Sequence, residues 1–141
     1  MSTIKLRNKI GKVMEGVESV KELYSPSICI GSSKSSYAAS ITVWTDTEAS
    51  GRFDYKGHDK YDRATERCIL IINETIKVLG IETTDMPIEN WERERYPSVR
   101  LRKKAMLDGY QLTFKVQVGG PYGMATVFVK KQNIGEDFNE N

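Results

Sequence analysis

A chain of 141 residues, 39% hydrophobic and 28% charged, has the size and composition of one globular domain. Its formal net charge of +2 is too small to indicate nucleic-acid binding by itself. The longest apolar run, residues 68–72, is too short to span a membrane, and the N-terminus lacks the apolar core of a secretory signal. We therefore expect a cytoplasmic or virion-associated protein that is neither secreted nor transmembrane.

The first helix is predicted over residues 3–15. Its apolar residues recur at helical spacing, at Leu6, Ile10, Val13, Met14 and Val17. Ser2 or Thr3 is a suitable N-cap. We expect Gly11 and Gly16 to weaken this helix by about 0.5–1 kcal/mol each relative to alanine.

Three strands are predicted next. Residues 27–32 are apolar on both faces, whereas residues 37–45 and 52–56 alternate between apolar and polar side chains. Cys29 lies in the first of these strands, and Cys68 lies in the helix that follows. Because no paired ligand spacing surrounds either cysteine, we interpret both as buried, reduced thiols and expect no cofactor.

The longest helical pattern covers residues 59–79. Its apolar face is formed by Tyr61, Ala64, Cys68, Ile71 or Ile72, Thr75 and Leu79. Asp59 is a suitable N-cap, and Gly80 suits a left-handed turn at the end of the helix. Residues 68–72 are apolar nearly all round, so we expect this helix to lie against a sheet, with another element over part of its back.

The segment between this helix and Pro97 is irregular. Pro87 is suited to begin a short helix over residues 88–95, and Pro97 ends it. In this helix Ile88 and Trp91 are expected to face the body of the protein.

The last third of the chain has the clearest strand pattern. Asp108-Gly109 is a two-residue hairpin signal, and residues 119–122 form a second turn. This register defines an inner face formed by Val99, Leu101, Ala105, Leu107, Tyr110, Leu112, Phe114, Val116, Val118, Ala125, Val127 and Val129. Lys103 interrupts the inner face, and we interpret it as a lysine that extends to solvent near a sheet edge.

In chain order these elements predict an α+β fold. We expect a single antiparallel or mixed sheet of about six strands, with two main helices packed on one face. Since no repeat or low-complexity linker divides the chain, residues 1–131 are predicted to form one domain. Residues 132–141 are predicted to form a polar, acidic C-terminal tail.

The opposite, outer face of the late strands is basic. Residues 99–131 contain seven Lys or Arg and only one acid, Asp108, whereas the tail carries Glu136, Asp137 and Glu140. The predicted binding residues are Arg100, Arg102, Lys104, Lys115, Phe128 and Lys130. Three interpretations stay open. The face binds nucleic acid or a small anion, it meets an acidic protein surface such as a neighbouring copy's tail, or it is solvated and its charges prevent aggregation.

The sequence contains few candidate catalytic residues. The carboxylates Asp46, Glu48, Asp54 and Asp59 are compatible with a divalent-metal site of the kind that nucleases use, but acids in turns usually serve turns and caps. His58, the only histidine, is interpreted as a loop residue. No P-loop, nucleophile elbow, dinucleotide fingerprint or zinc spacing is present, so we expect no enzyme and no bound metal.

Three segments resemble phage tail-terminator and tail-completion proteins: an opening helix KLRNKIGKVMEGVESV, a central helix DRATERCILIINETIKVL and late strands SVRLRKKAMLDGYQLTFKVQV. The likeness covers residues 4–118 and lies in the pattern of apolar positions. It implies a small α+β virion subunit that forms rings and has no catalytic activity.

The leading hypothesis is therefore a non-enzymatic assembly or interaction subunit, such as a viral (phage) structural or accessory protein, that self-associates or binds a protein partner. The alternative is a module that binds nucleic acid or a small anionic ligand through the same basic face. An inhibitor of a host enzyme is a third hypothesis that the residues do not separate from the first.

Overall fold

The structure, a computed structural model, describes residues 2–21, 38–46, 62–119 and 122–132. Its helices are α1 (Thr3–Gly16), α2 (Glu18–Lys21), α3 (Asp62–Leu79) and α4 (Asn90–Glu94), and its strands are β1 (Ala38–Asp46), β2 (Thr84–Asp85), β3 (Ser98–Leu107), β4 (Tyr110–Gly119) and β5 (Tyr122–Lys131). The predicted strands 27–32 and 52–56 lie outside the described residues, as do Cys29, Asp59 and residues 133–141.

The strands form one antiparallel sheet in the order β1-β5-β4-β3-β2. The expected α+β class is confirmed. Within the described residues the sheet has five strands, and β2 among them was not predicted. This strand has only two residues, which pair with Lys103 and Lys104 at the edge of the sheet. A strand this short leaves no alternating pattern in the sequence, because two residues are too few to show one.

The two long helices pack on one side of the sheet, which is its inner face. Helix α1 lies against β1 and β5, and α3 lies against β4 and β5. The Ser2 hydroxyl accepts a hydrogen bond from the Lys5 amide at 3.1 Å and so caps α1, as its sequence predicts. Helix α3 is closed by Gly80, which has a φ of +66° and whose amide donates a hydrogen bond to the Ile76 carbonyl, as expected.

The core between helices and sheet is apolar. Helix α1 contributes Leu6, Ile10 and Met14, all fully buried. The buried residues of α3 are Ala64, Cys68, Ile71, Ile72 and Thr75, all of them on its predicted apolar face. Leu79 of that face is only partly buried, and Tyr61 lies outside the described residues. The short helix α2 packs on part of α3. It is held there by the Ser19 amide and hydroxyl, which both donate hydrogen bonds to the Glu74 carboxylate, at 3.2 and 3.1 Å. The back of α3 is therefore partly covered, and Leu70 remains 46% exposed.

Two glycines allow this close packing. An added Cβ on Gly11 in α1 would lie 2.2 Å from Cδ1 of Ile41 in β1. On Gly123 in β5 it would lie 2.8 Å from the Thr45 hydroxyl and 3.0 Å from Sγ of Cys68. Gly11, expected only to weaken α1, thus lets the helix approach the sheet.

The first predicted hairpin is present, and the second differs in its loop: Gly119 and Tyr122, predicted to belong to a four-residue turn, pair with each other as strand residues. Asp108 and Gly109 have φ of 51° and 81°, and Leu107 pairs with Tyr110, so the turn is the two-residue type that the sequence predicts. Strand β4 alternates strictly between buried and half-buried residues. The pairing of Val118 with Gly123 keeps the register across the second turn.

One part of the predicted inner face is wrong. The β3–β4 register shifts between Val99 and Leu101, with Val99 opposite Gln117 and Leu101 opposite Val116. Arg100 lies between these pairs as the extra residue of a β-bulge. A bulge reverses the alternation of side chains, so Val99 shares the face of Gln117, although it is fully buried.

Helix α4 has the opposite orientation to the predicted one. Trp91 was expected to face the body of the protein, but it is 60% exposed, and Glu92 is buried instead. Glu92 is the third residue of α4, and its carboxylate accepts a hydrogen bond from the amide of the N-cap residue Glu89 at 3.2 Å. The acid therefore turns toward the sheet, where Arg102 binds it.

Candidate functional site

The outer face of the sheet, opposite α1 and α3, carries most of the predicted binding residues in neighbouring rows. Arg102 lies opposite Lys115, which lies opposite Thr126. In the next row Lys104 lies opposite Thr113, and Thr113 lies opposite Phe128. The remaining two predicted residues lie apart, Lys130 opposite Gln111 and Arg100 in the bulge.

Arg102 is held by a partner from its own chain. Its guanidinium forms an ion pair with the Glu92 carboxylate through both terminal nitrogens, and one of them also donates to the Pro87 carbonyl at 3.3 Å. Both side chains are largely buried, at 18% and 10% exposure. The bond from Arg102 lowers the pKa of Glu92, while burial acts in the opposite direction. The pair fixes α4 on the outer face and commits the charge of Arg102 to an internal contact.

Lys115 lies beside this pair with no salt bridge to a described residue. Burial lowers the pKa of Lys115, and repulsion from Arg102 and Arg95 lowers it further, whereas Glu92 opposes the shift. Lys115 is therefore influenced by two cations, Arg102 and Arg95, and by one carboxylate, Glu92, among the described residues. This end of the outer face has a local excess of positive charge even after the internal ion pair is formed.

Helix α4 adds two residues that sequence reasoning missed. The Arg95 guanidinium lies 5.4 Å from the centre of the Trp91 ring, a cation–π contact, and both side chains are exposed. We call Trp91, Arg95 and Lys115 the aromatic–cationic patch. The four-residue spacing of Trp91 and Arg95 was available in the sequence, since residues at that spacing share one helix face. The orientation of the helix could not be predicted from the sequence, because it depends on the ion pair of Glu92 with Arg102.

The other end of the outer face is open. Lys104 and Lys130 are exposed there, and Phe128 and Met106 are 39% and 51% exposed. Beside it a groove of about 710 Å³ lies at the β2–β3 edge, lined by Gly80–Thr84, by Lys104–Met106 and by Gln111 and Gln132.

The described residues offer little for catalysis. Among them no group of three or more His, Cys, Asp and Glu is close enough to hold a metal ion. His58 and the side chains of the carboxylates proposed as a metal site, Asp46 among them, lie outside the described part. Burial raises the pKa of Cys68 to about 11, and the thiol lies 3.7 Å from the Thr45 hydroxyl, so Cys68 is a core residue rather than a nucleophile.

Comparison with models of known protein families, with curated proteins and with solved structures finds no match for this chain. No helix within the described ranges has both the length and the apolar character needed to cross a membrane.

Proposed function

We propose that this protein is a non-enzymatic interaction subunit that binds an acidic protein surface, including that of a second copy, through the outer face of its sheet. The observation that carries the proposal is the environment of Lys115. Arg95 and Arg102 repel this lysine, and among the described residues only Glu92 opposes them. A carboxylate supplied by a partner would relieve this repulsion, so the site favours an anionic group.

The exposed side chains at the same end favour a protein partner. Trp91 is 60% and Tyr96 is 70% exposed, and Arg95 lies over the Trp91 ring. Tryptophan, tyrosine and arginine are the residues that most often carry binding energy in protein interfaces. The pattern shared with phage tail-terminator and tail-completion proteins supports a virion subunit in particular, one that assembles into rings.

Binding of nucleic acid is the second candidate, and it would use the same residues. Lys104, Lys115 and Lys130 would contact phosphates, and Phe128 or Trp91 would stack on a base. The exposure of both aromatic rings supports this alternative.

Mass in solution, measured by light scattering across protein concentration and salt, tests the leading proposal. We expect the wild-type chain to associate, and Lys115→Glu to be monomeric because it places an acid where the partner's acid binds. Lys9→Glu is the matched control, since Lys9 is an exposed lysine on α1. Association that is equal in wild type and Lys115→Glu would exclude this face as the interface.

Binding to single- and double-stranded oligonucleotides separates the second candidate from the first. Contacts to phosphates predict an affinity that falls steeply as the salt concentration rises. In Lys115→Glu this fall should be less steep, because one phosphate contact is lost. Absence of binding at low salt would exclude the nucleic-acid alternative and leave the protein partner.

A further inference from the structure

We propose that the edge of β3 beside Met106 binds an extended peptide segment of a separate protein partner, which adds to the sheet as a further strand. The segment would lie in the groove between β3 and residues 80–84, in line with the two-residue strand β2. This edge is distinct from the aromatic–cationic patch, so the inference goes beyond the proposed function and does not depend on it.

The hairpin register shows which backbone groups of β3 point toward this edge. Leu107 and Tyr110 pair across a two-residue turn, and the residues that close such a turn exchange backbone hydrogen bonds with each other. Because bonding alternates along an antiparallel strand, Met106 points its amide and carbonyl away from β4. Arg102, four residues earlier, accepts a bond from the Met86 amide on this same side at 2.9 Å, as the alternation requires.

Strand β2 covers only part of this edge. It pairs with Lys103 and Lys104 and begins at Thr84, so no residue of β2 lies opposite Met106. Residues 81–83, which precede β2, line the opposite wall of the groove, and none of them forms a backbone hydrogen bond with another described residue. Backbone donors and acceptors therefore lie on both walls.

A polypeptide in extended conformation is the ligand that suits such walls. Each of its residues carries one N–H and one C=O, and these groups point alternately to the two sides of a strand. Addition of a strand to an exposed sheet edge is a recurrent mode of peptide recognition. The groove volume of about 710 Å³ is within the range of binding pockets, roughly 300–1,000 Å³.

The side chains along the groove define the chemistry of the segment. Lys104 and Gln111 are polar residues of the outer face, whereas Ala105 is buried on the inner face and Ile81 packs against the core. A strand beside β3 turns successive side chains to opposite faces of the sheet. We therefore expect a segment of alternating polar and apolar residues, with the polar ones in the row of Met106.

The probe is an acetylated and amidated hexapeptide of alternating threonine and valine, which carries no charge. We expect the wild-type protein to bind it. Binding should shift the amide resonance of Met106 and slow the exchange of this amide with deuterium, both measured by NMR.

Two N-methylated forms of the probe test its orientation. When valine faces the core, the threonine N–H groups face β3, because opposite residues that exchange hydrogen bonds point their side chains to the same face. Methyl groups on the threonine nitrogens should therefore abolish binding. Methyl groups on the valine nitrogens should weaken it less, since the hydrogen bonds to β3 remain.

Met106→Pro tests the backbone of the protein. Proline lacks the N–H group but is tolerated in an edge strand, so this variant should fold and bind the hexapeptide about tenfold more weakly. Met106→Ala is the matched control, because it keeps the N–H group and should bind nearly as wild type does. Ala105→Pro should fail to fold, since the same alternation points the Ala105 amide toward β4.

The outcomes separate this inference from the proposed function. Lys115→Glu alters only the patch, so it should bind the uncharged hexapeptide as wild type does, whether or not it associates. Loss of binding in Lys115→Glu would place the peptide on the patch and overturn the inference. Equal binding by Met106→Pro and Met106→Ala, or no binding by wild type at millimolar peptide, would also overturn it. Self-association that Met106→Pro abolishes would replace the separate partner by a second copy of this chain.

Discussion

The two faces of the sheet are built on different principles. The inner face is a continuous apolar layer, and its central residues Phe114, Val116 and Val127 are fully buried. The outer face carries polar and charged side chains that bind one another, such as Arg102 with Glu92. Apolar contacts are non-directional, so they specify that the inner face is covered, while the directional ion pair specifies where α4 lies.

Burial alone does not separate the two faces. Ser40, Thr42 and Thr126 share the outer face and are 6–8% exposed. The hydroxyls of Thr42 and Thr126 lie 2.9 Å apart across β1 and β5, so one donates a hydrogen bond to the other. The difference between the faces is therefore how polar groups are satisfied, and the aromatic–cationic patch is one place on the outer face where positive charge exceeds negative among the described residues.

Truncating one phenylalanine on each face is the strongest test of this difference. Phe114→Ala should cost about 3–5 kcal/mol of unfolding free energy, because it leaves a cavity in a fully buried layer. Phe128→Ala should cost about 1 kcal/mol or less, because that ring is 39% exposed. Urea denaturation measures both, and Phe114→Leu is the milder variant if Phe114→Ala does not fold. Equal losses at the two positions would contradict the comparison.

The ion pair of the outer face predicts an intermediate effect that depends on pH. Since Arg102 lowers the pKa of Glu92 below its ordinary value of 4.5, the folded state favours the carboxylate. The stabilisation is complete above about pH 4.5 and is lost as the pH falls through the lowered pKa of the folded state. Glu92→Gln should therefore lower the melting temperature at neutral pH, and the difference from wild type should shrink in acid.

Glu94→Gln is the control for this effect, because Glu94 is an exposed acid on the same helix. It should melt like wild type at every pH. If the melting difference between Glu92→Gln and wild type is unchanged down to pH 3, the ion pair does not carry the stabilisation.

Periodicity predicted the inner face well, for a physical reason. Burial of a helix stripe or a strand face repeats locally along the chain, so α1, α3 and the hairpin of β3 and β4 are readable from spacing and turn residues alone. The position of Lys103 near a sheet edge was predictable too. It lies opposite Phe114, and its ammonium reaches Asp85 on the edge strand at 3.9 Å.

The outer face could not be predicted in the same way. The bulge at Arg100 leaves no change in composition, yet it moves Val99 to the other face. The orientation of α4 depends on one contact between residues ten positions apart, Glu92 and Arg102. A five-residue helix is too short to show a periodic stripe. The sequence therefore predicted Trp91 to face the body of the protein and gave no role to Arg95.

The two glycines of α1 provide the smallest and most closely matched comparison. Gly16→Ala should stabilise the protein by about 0.5 kcal/mol or less, since alanine is the better helix former, Gly16 is the last residue of α1, and nothing lies within 4 Å of the added Cβ. Gly11→Ala, in the middle of α1, gains about 0.5–1 kcal/mol of helix propensity but places its Cβ against Ile41, which is buried and must move. Overpacking of this kind costs about 1–3 kcal/mol, so the net effect should be destabilising.

Denaturation of both glycine variants in urea, with Ile41→Val as a second background, distinguishes the two effects. Ile41→Val removes the Cδ1 atom that the new methyl group meets, so Gly11→Ala should be less harmful in that background than in wild type. A stabilising Gly11→Ala in wild type would show that α1 can move away from β1 at little cost. The inner face would then tolerate movement, and close contact with the sheet would not explain the glycine in the middle of this helix.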